Sequence, residues 1–403
     1  VNHLLVVQLA RLGDLIQSKR LLLSLAAQPG AQVHLCVDAS LAAFAAALFP
    51  FAHVLPLPAH ATGGATPESV FTAARHTFAQ LQEIPFSAVY TLNASPLSYA
   101  IARLFPPEVV CGYSCPNGQP MRHPWLELAA RWTRHRLSSP LNLIDMWAHL
   151  HPSPIAPQAV NPVATPAGQG RIGVVMAGRA QRRSLPVPVL VACVEALFRA
   201  YGGPTIVCLG GKGEVPLARQ FGRQLSPHAQ RKLEDTTGRT ELLDLMELLP
   251  TLDCLITPDT GLMHLATHFG VPVQAFFLSS AWCFETGPYG LGHNVWQATV
   301  PCAPCLETAP CHHNMACLAP FSQPGFLGHL AGTQAQQWPQ GLTGYRSALD
   351  DLGVCYHPAH GTDAGVEERT SRRALLAELR LHRLEPAAKG AEALFQEADW
   401  MLP

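Results

Sequence analysis

The chain has 403 residues, 27 Lys and Arg against 28 Asp and Glu, a net charge of −1 and 48% hydrophobic residues. Balanced charge excludes a chain-wide electrostatic footprint for nucleic acid or an anionic membrane, and the length exceeds one ordinary core, so two domains are expected. No apolar run reaches the roughly 20 residues of a membrane helix, and the first residues read as a strand with no basic leader before it; cytoplasmic residence is the expectation.

In chain order, residues 4–9, 32–37 and 88–92 are apolar runs of strand length, while 15–27, 41–48 and 67–83 carry helical periodicity. That alternation predicts an α/β domain built on a doubly wound parallel sheet. Between the first strand and its helix stands Ala10-Arg11-Leu12-Gly13-Asp14, which puts a carboxylate at a strand's carboxyl end. Asp14 there either caps the helix or takes a proton from a substrate. Further on, Arg122-His123-Pro124-Trp125 and Arg131-Trp132-Thr133-Arg134-His135-Arg136 gather cations and tryptophans. They form either an amphipathic helix over 125–137 with a solvated basic side, or a grip for an anionic ligand through Arg122, Trp125 and Arg134. A stretch rich in Pro, Ala, Gln and Gly then breaks the pattern. It places a linker at 161–170, after a first domain of residues 1–160.

The alternation resumes with strands at 171–176, 205–209, 254–257 and 273–277, giving a second domain over 171–330. The most informative turn is Thr257-Pro258-Asp259-Thr260-Gly261-Leu262-Met263-His264-Leu265-Ala266, which joins a buried strand to a helix over 262–269 ended by Gly270. Its Thr260 and Gly261 backbone N–H groups stand at the positive end of a helix dipole at a strand's carboxyl end, where open α/β sheets bind diphosphates. Asp259 can accept hydroxyl protons. Arg183, within Gly178-Arg179-Ala180-Gln181-Arg182-Arg183-Ser184, either joins the site or belongs to a solvated basic turn. Lys212 lies in the glycine-rich turn Gly210-Gly211-Lys212-Gly213-Glu214, and Glu214 either caps a helix or holds a ribose hydroxyl. Arg239 and Thr240 open a helix at 241–249.

Cys36, Cys193, Cys208 and Cys254 sit in apolar patterns as small hydrophobes. Cys302, Cys305, Cys311 and Cys317 differ: C-x2-C-x5-C-x5-C offers four soft ligands to a structural zinc or iron ion, or is a loop of reduced thiols. Residues 331–403 form a C-terminal extension, partly helical, with Leu375, Leu376, Leu379 and Leu384 at helical spacing. It either crosses back to the first domain or serves a partner.

Arg11-Leu12-Gly13-Asp14-Leu15-Ile16 and Pro258-Asp259-Thr260-Gly261-Leu262-Met263-His264-Leu265-Ala266 resemble the signatures of glycosyltransferase family 9, the ADP-heptose heptosyltransferases. The resemblance extends over Ile206-Val207-Cys208-Leu209-Gly210-Gly211-Lys212-Gly213-Glu214, Thr237-Gly238-Arg239-Thr240-Glu241-Leu242 and Thr286-Gly287-Pro288-Tyr289-Gly290, in order, across about 330 residues. It implies the GT-B architecture, two Rossmann-like domains facing a central cleft, and an inverting transfer of heptose from ADP-heptose to a lipopolysaccharide-core or related cell-envelope saccharide, with no cofactor required for catalysis. It further implies Asp14 as general base and a donor site of Arg183, Lys212, Glu214, Asp259, Thr260, Gly261 and His264. Arg183 stands where the family has a phosphate-contacting lysine. The acceptor belongs to the first domain, nucleic acid is no partner, and contact with the inner membrane is at most peripheral. Some related protein heptosyltransferases hold iron with four cysteines. A protein hydroxyl as acceptor, another nucleotide sugar as donor, or a non-catalytic binding relative remain open.

Overall fold

The computed structural model describes residues 1–60, 66–178, 181–333 and 337–382, apart from the side chains at 67–68, 129–134, 181 and 380–382. The described residues divide into two compact units: residues 1–134 with 143–156 and 379–382, and residues 135–142 with 157–378. The unit boundary at 156/157 precedes the expected linker, and most of the expected extension belongs to the second unit.

The first unit holds a six-stranded sheet of β1 (Asn2–Gln8), β2 (Ala31–Asp38), β3 (Ala52–Leu57), β4 (Phe86–Thr91), β5 (Val110–Ser114) and β6 (Met121–Arg122). Its order is β3-β2-β1-β4-β5-β6, parallel except for the last pair. β1 is buried from Leu4 onward, as a central strand covered on both faces must be. The helix expected at 15–27 is two, Leu12–Gln17 and Lys19–Ala26, separated at Ser18. The helix at 67–83 runs Pro67–Glu83, with Thr66 as its cap and Pro67 in its first turn, where a missing N–H costs nothing. Arg20 and Asp145, 1% and 0% exposed, pair at 2.5 Å, and the same guanidinium donates to the Ile155 carbonyl. This ties the helix Lys19–Ala26 to the helix Leu143–Ala148.

The second unit holds an eight-stranded sheet: β7 (Arg171–Val175), β8 (Thr205–Leu209), β9 (Leu233–Asp235), β10 (Cys254–Pro258), β11 (Val273–Phe277), β12 (Asn294–Ala298), β13 (Leu342–Leu349) and β14 (Val354–His360). The order is β14-β13-β12-β11-β10-β7-β8-β9, parallel from β9 to β12 and antiparallel through β13 and β14. Apolar side chains from β7, β8 and β10 (Ile172, Val174, Ile206, Cys208, Cys254 and Ile256) pack with the helix Val187–Ala200 into one core. Cys193, Cys208 and Cys254 are buried there, as their apolar settings suggest. The β13–β14 hairpin is unexpected from the sequence. A Cβ on Gly344 would come within 2.7 Å of the Trp296 ring, so only glycine lets β13 lie on β12 at that point. The helix expected at 367–384 runs Val366–His382. Among the described residues no helix is long and apolar enough to cross a membrane.

Candidate active site

β8, β7 and β10 are neighbours and run parallel, so the turns that follow them leave the same edge of the sheet. After β10, Thr260 adopts extended backbone and caps the helix Gly261–His268, its Oγ1 accepting from Met263 N. The same hydroxyl lies 3.0 Å from Thr257 Oγ1. The Thr260 side chain is thus spent on shaping the turn, while the main chain at Gly261 opens the helix at its positive end.

Asp259 is 6% exposed and accepts from Arg183 Nη1 at 2.9 Å and from Thr286 Oγ1 at 3.1 Å, all on Oδ2. Arg183 thus pairs with Asp259. Its Nη2 lies 2.7 Å from Glu307 Oε2. Arg182 takes a different course: its Nη1 lies within 3.0 Å of the Leu306 and Glu307 carbonyls and also meets that of Ala309, and its Nη2 donates to Cys305 Sγ at 3.1 Å.

Lys212 is exposed and Glu214 half-buried, in the turn that follows β8. That turn is fastened to the next by Gly238, whose N–H donates to the Gly210 carbonyl at 2.8 Å. Gly238 has a φ of +69°, and a Cβ there would come within 3.2 Å of Lys212 Cα, so two demands select glycine. His264, one turn into its helix, is 3% exposed; burial holds its imidazole down to about 3, hence neutral. Its Nδ1 has no partner among the described residues, nor have Arg183 Nε, Ser279 Oγ and Trp282 Nε1, all buried. Buried polar atoms ordinarily find partners, so these mark places that water or a ligand completes.

In the first unit Asp14 is half-buried in the first turn of the helix Leu12–Gln17, and its Oδ2 accepts the Arg11 N–H at 3.2 Å. Asp14 thus takes part in a capping box at the start of this helix, with Arg11 as the cap residue. Of the acceptor candidates, Arg122 pairs with Glu127 at 3.2 Å, and Trp125 donates its indole N–H to the Met146 carbonyl at 2.7 Å. The side chain of Arg134 lies outside the described residues. Arg136, grouped by sequence with that patch, belongs to the second unit: it forks onto Glu285 at 2.7–3.1 Å and donates to the Cys305 carbonyl. Only three-dimensional pairing separates it from its sequence neighbours.

The four clustered cysteines differ in their surroundings. Cys302 and Cys305 are half-buried, Cys317 buried and Cys311 exposed. Arg182 donates to Cys305 Sγ and the Met315 N–H to Cys311 Sγ. Among the described residues no three His, Cys, Asp or Glu side chains are grouped to hold a metal.

Both units are α/β with mostly parallel sheets, and the second places a helix-capped Asp-Thr-Gly turn at a strand's carboxyl end. Residues 203–315 match the model of glycosyltransferase family 9 (heptosyltransferase), so the second unit carries that family's segment. The fold agrees. A glycosyl transferase family 9 structure from Veillonella parvula superposes with a TM-score of 0.56 at 16% identity, covering 81% of this chain and 92% of that one. The E. coli heptosyltransferase WaaC with ADP gives 0.53 at 15% identity, covering 72% and 91%. The chain shares their fold, an α/β architecture with two mixed, mostly parallel sheets of the GT-B type. Among curated proteins, none matches the sequence.

Proposed function

We propose that this family 9 glycosyltransferase moves a heptose from ADP-heptose to a lipopolysaccharide-core or related cell-envelope saccharide, inverting the anomeric centre. The observation that carries the reading is the Asp259-Thr260-Gly261 turn at the carboxyl end of β10 with Arg183 fixed beside it. A leaving nucleoside diphosphate gathers negative charge on its phosphate oxygens. Arg183 and the main-chain N–H groups opening the helix Gly261–His268 meet that charge with a cation and a dipole end. Asp14 takes the acceptor hydroxyl's proton, and Glu214 and Lys212 serve the nucleoside and phosphate from the turn after β8. Arg122, Trp125 and Arg134 serve the acceptor. The enzyme works in the cytoplasm, with at most peripheral contact to the inner membrane.

A thermal-shift panel of ADP-, UDP- and GDP-sugars on the purified protein, followed by turnover with any stabilising donor, tests this. A ligand at about 100 times its dissociation constant adds about 2.7 kcal/mol of stability. Stabilisation by ADP compounds above the others is the expected result; none with any ADP compound would sink the reading.

A further inference from the structure

Arg183 meets two carboxylates at once, Asp259 on Nη1 at 2.9 Å and Glu307 on Nη2 at 2.7 Å. The two are not equivalent. Asp259 is 6% exposed, carries Thr286 as well, and stands directly after β10. Glu307 is 25% exposed, and its side chain swings on three rotatable bonds. Its main chain is secured independently, because Arg182 reaches the carbonyls of Leu306, Glu307 and Ala309. The Glu307 carboxylate can therefore leave Arg183 while the segment keeps its place.

We propose that Glu307 is a specificity-determining residue that occupies, in the empty site, the Nη2 side of Arg183 that a phosphate oxyanion takes. This rests on the donor reading above. Carboxylate and phosphate present a guanidinium with the same two-point acceptor geometry, so either satisfies that edge. A ligand bringing a phosphate exchanges one anion for another, and Glu307 goes to water. A neutral ligand has nothing to offer Arg183 in exchange. Glu307 thus lowers affinity for every phosphate ligand by one common factor and leaves the binding of an uncharged nucleoside unaffected.

Calorimetric titration of ADP, inorganic pyrophosphate and adenosine into the full chain tests this, using wild type, Glu307→Gln, Glu307→Ala, Arg183→Ala and the Arg183→Ala/Glu307→Gln double variant. The expected result is about fivefold tighter ADP and pyrophosphate in both Glu307 variants, the factor a partly exposed ion pair carries, with adenosine unchanged. In the Arg183→Ala background Glu307→Gln should add nothing, since the two residues act as one unit. Unchanged or weaker ADP binding in Glu307→Gln and Glu307→Ala overturns the inference while leaving the donor reading in place, and so does tightening that persists without Arg183. A wild-type chain that binds neither ADP nor pyrophosphate overturns both.

Discussion

Arg183 stands 2.9 Å from Asp259 and bridges it to Glu307, so one guanidinium joins the turn after β7 to the turn after β10 and to the Cys-rich segment. A lysine offers a single charged point and cannot span both carboxylates. Arg183→Lys should keep a cation for phosphate and lose the bridge: stability measured by urea unfolding should fall by about 0.2–1 kcal/mol, and ADP affinity should drop less than in Arg183→Ala. Equal loss of ADP affinity in the two variants would show that the fork, not the charge, is what the ligand needs.

Asp14 caps its helix and is assigned a proton, and one substitution separates these roles. Asparagine accepts the Arg11 N–H as aspartate does but is no base. Asp14→Asn should lower kcat about 10²–10⁴-fold with the melting temperature and the ADP-induced shift unchanged. Turnover at the wild-type level in this variant removes the base assignment.

Arg20 and Asp145 are paired out of reach of water. Asp145→Ala strands a buried guanidinium and should cost about 3–5 kcal/mol, whereas replacing both by Met and Leu should restore most of it. Urea unfolding of the single and double variants decides. A mild single variant would mean that Arg20's remaining partners, the Ile155 carbonyl among them, suffice.

His264 and His293 are buried, and burial depresses both imidazoles to about 3. In the unfolded chain each takes up a proton near 6.5. Between those values the unfolded state binds protons that the native state does not, so stability falls as pH drops from about 6.5 toward 3 and is unaffected above. The slope is about 1.4 kcal/mol per pH unit for each histidine. His293→Leu should flatten the acid limb of a stability-versus-pH curve; an identical limb would refute the contribution.

The parallel strands were legible because central strands such as β1 and β10 are apolar throughout, and the turns after them were legible because Gly, Asp and Thr are chosen there by backbone geometry. The hairpin was not. β14 reads Val-Cys-Tyr-His-Pro-Ala-His, with exposed and half-buried residues that show no strong alternation, as befits a strand at an edge. Glu307 and Thr286 escaped for another reason: their partners lie more than 20 residues away in sequence. Arg136 could not be told from its basic neighbours by sequence, and its pairing with Glu285 separates it from them. The cysteine spacing was equally legible, but the Arg182 and Met315 donors to Cys305 and Cys311 were not, since they depend on how the loop folds.

β14 closes a sheet that would otherwise end on β12 or β13, and Pro358 sits within it. Proline donates no N–H, so this border strand offers an incoming chain a broken template. Cutting the chain at residue 330 would strip away this border and expose β12, a mostly buried strand, as a sticky rim. Such a fragment should precipitate or self-associate. The β13–β14 hairpin thus acts as a selvedge, finishing the weave of the second unit's sheet.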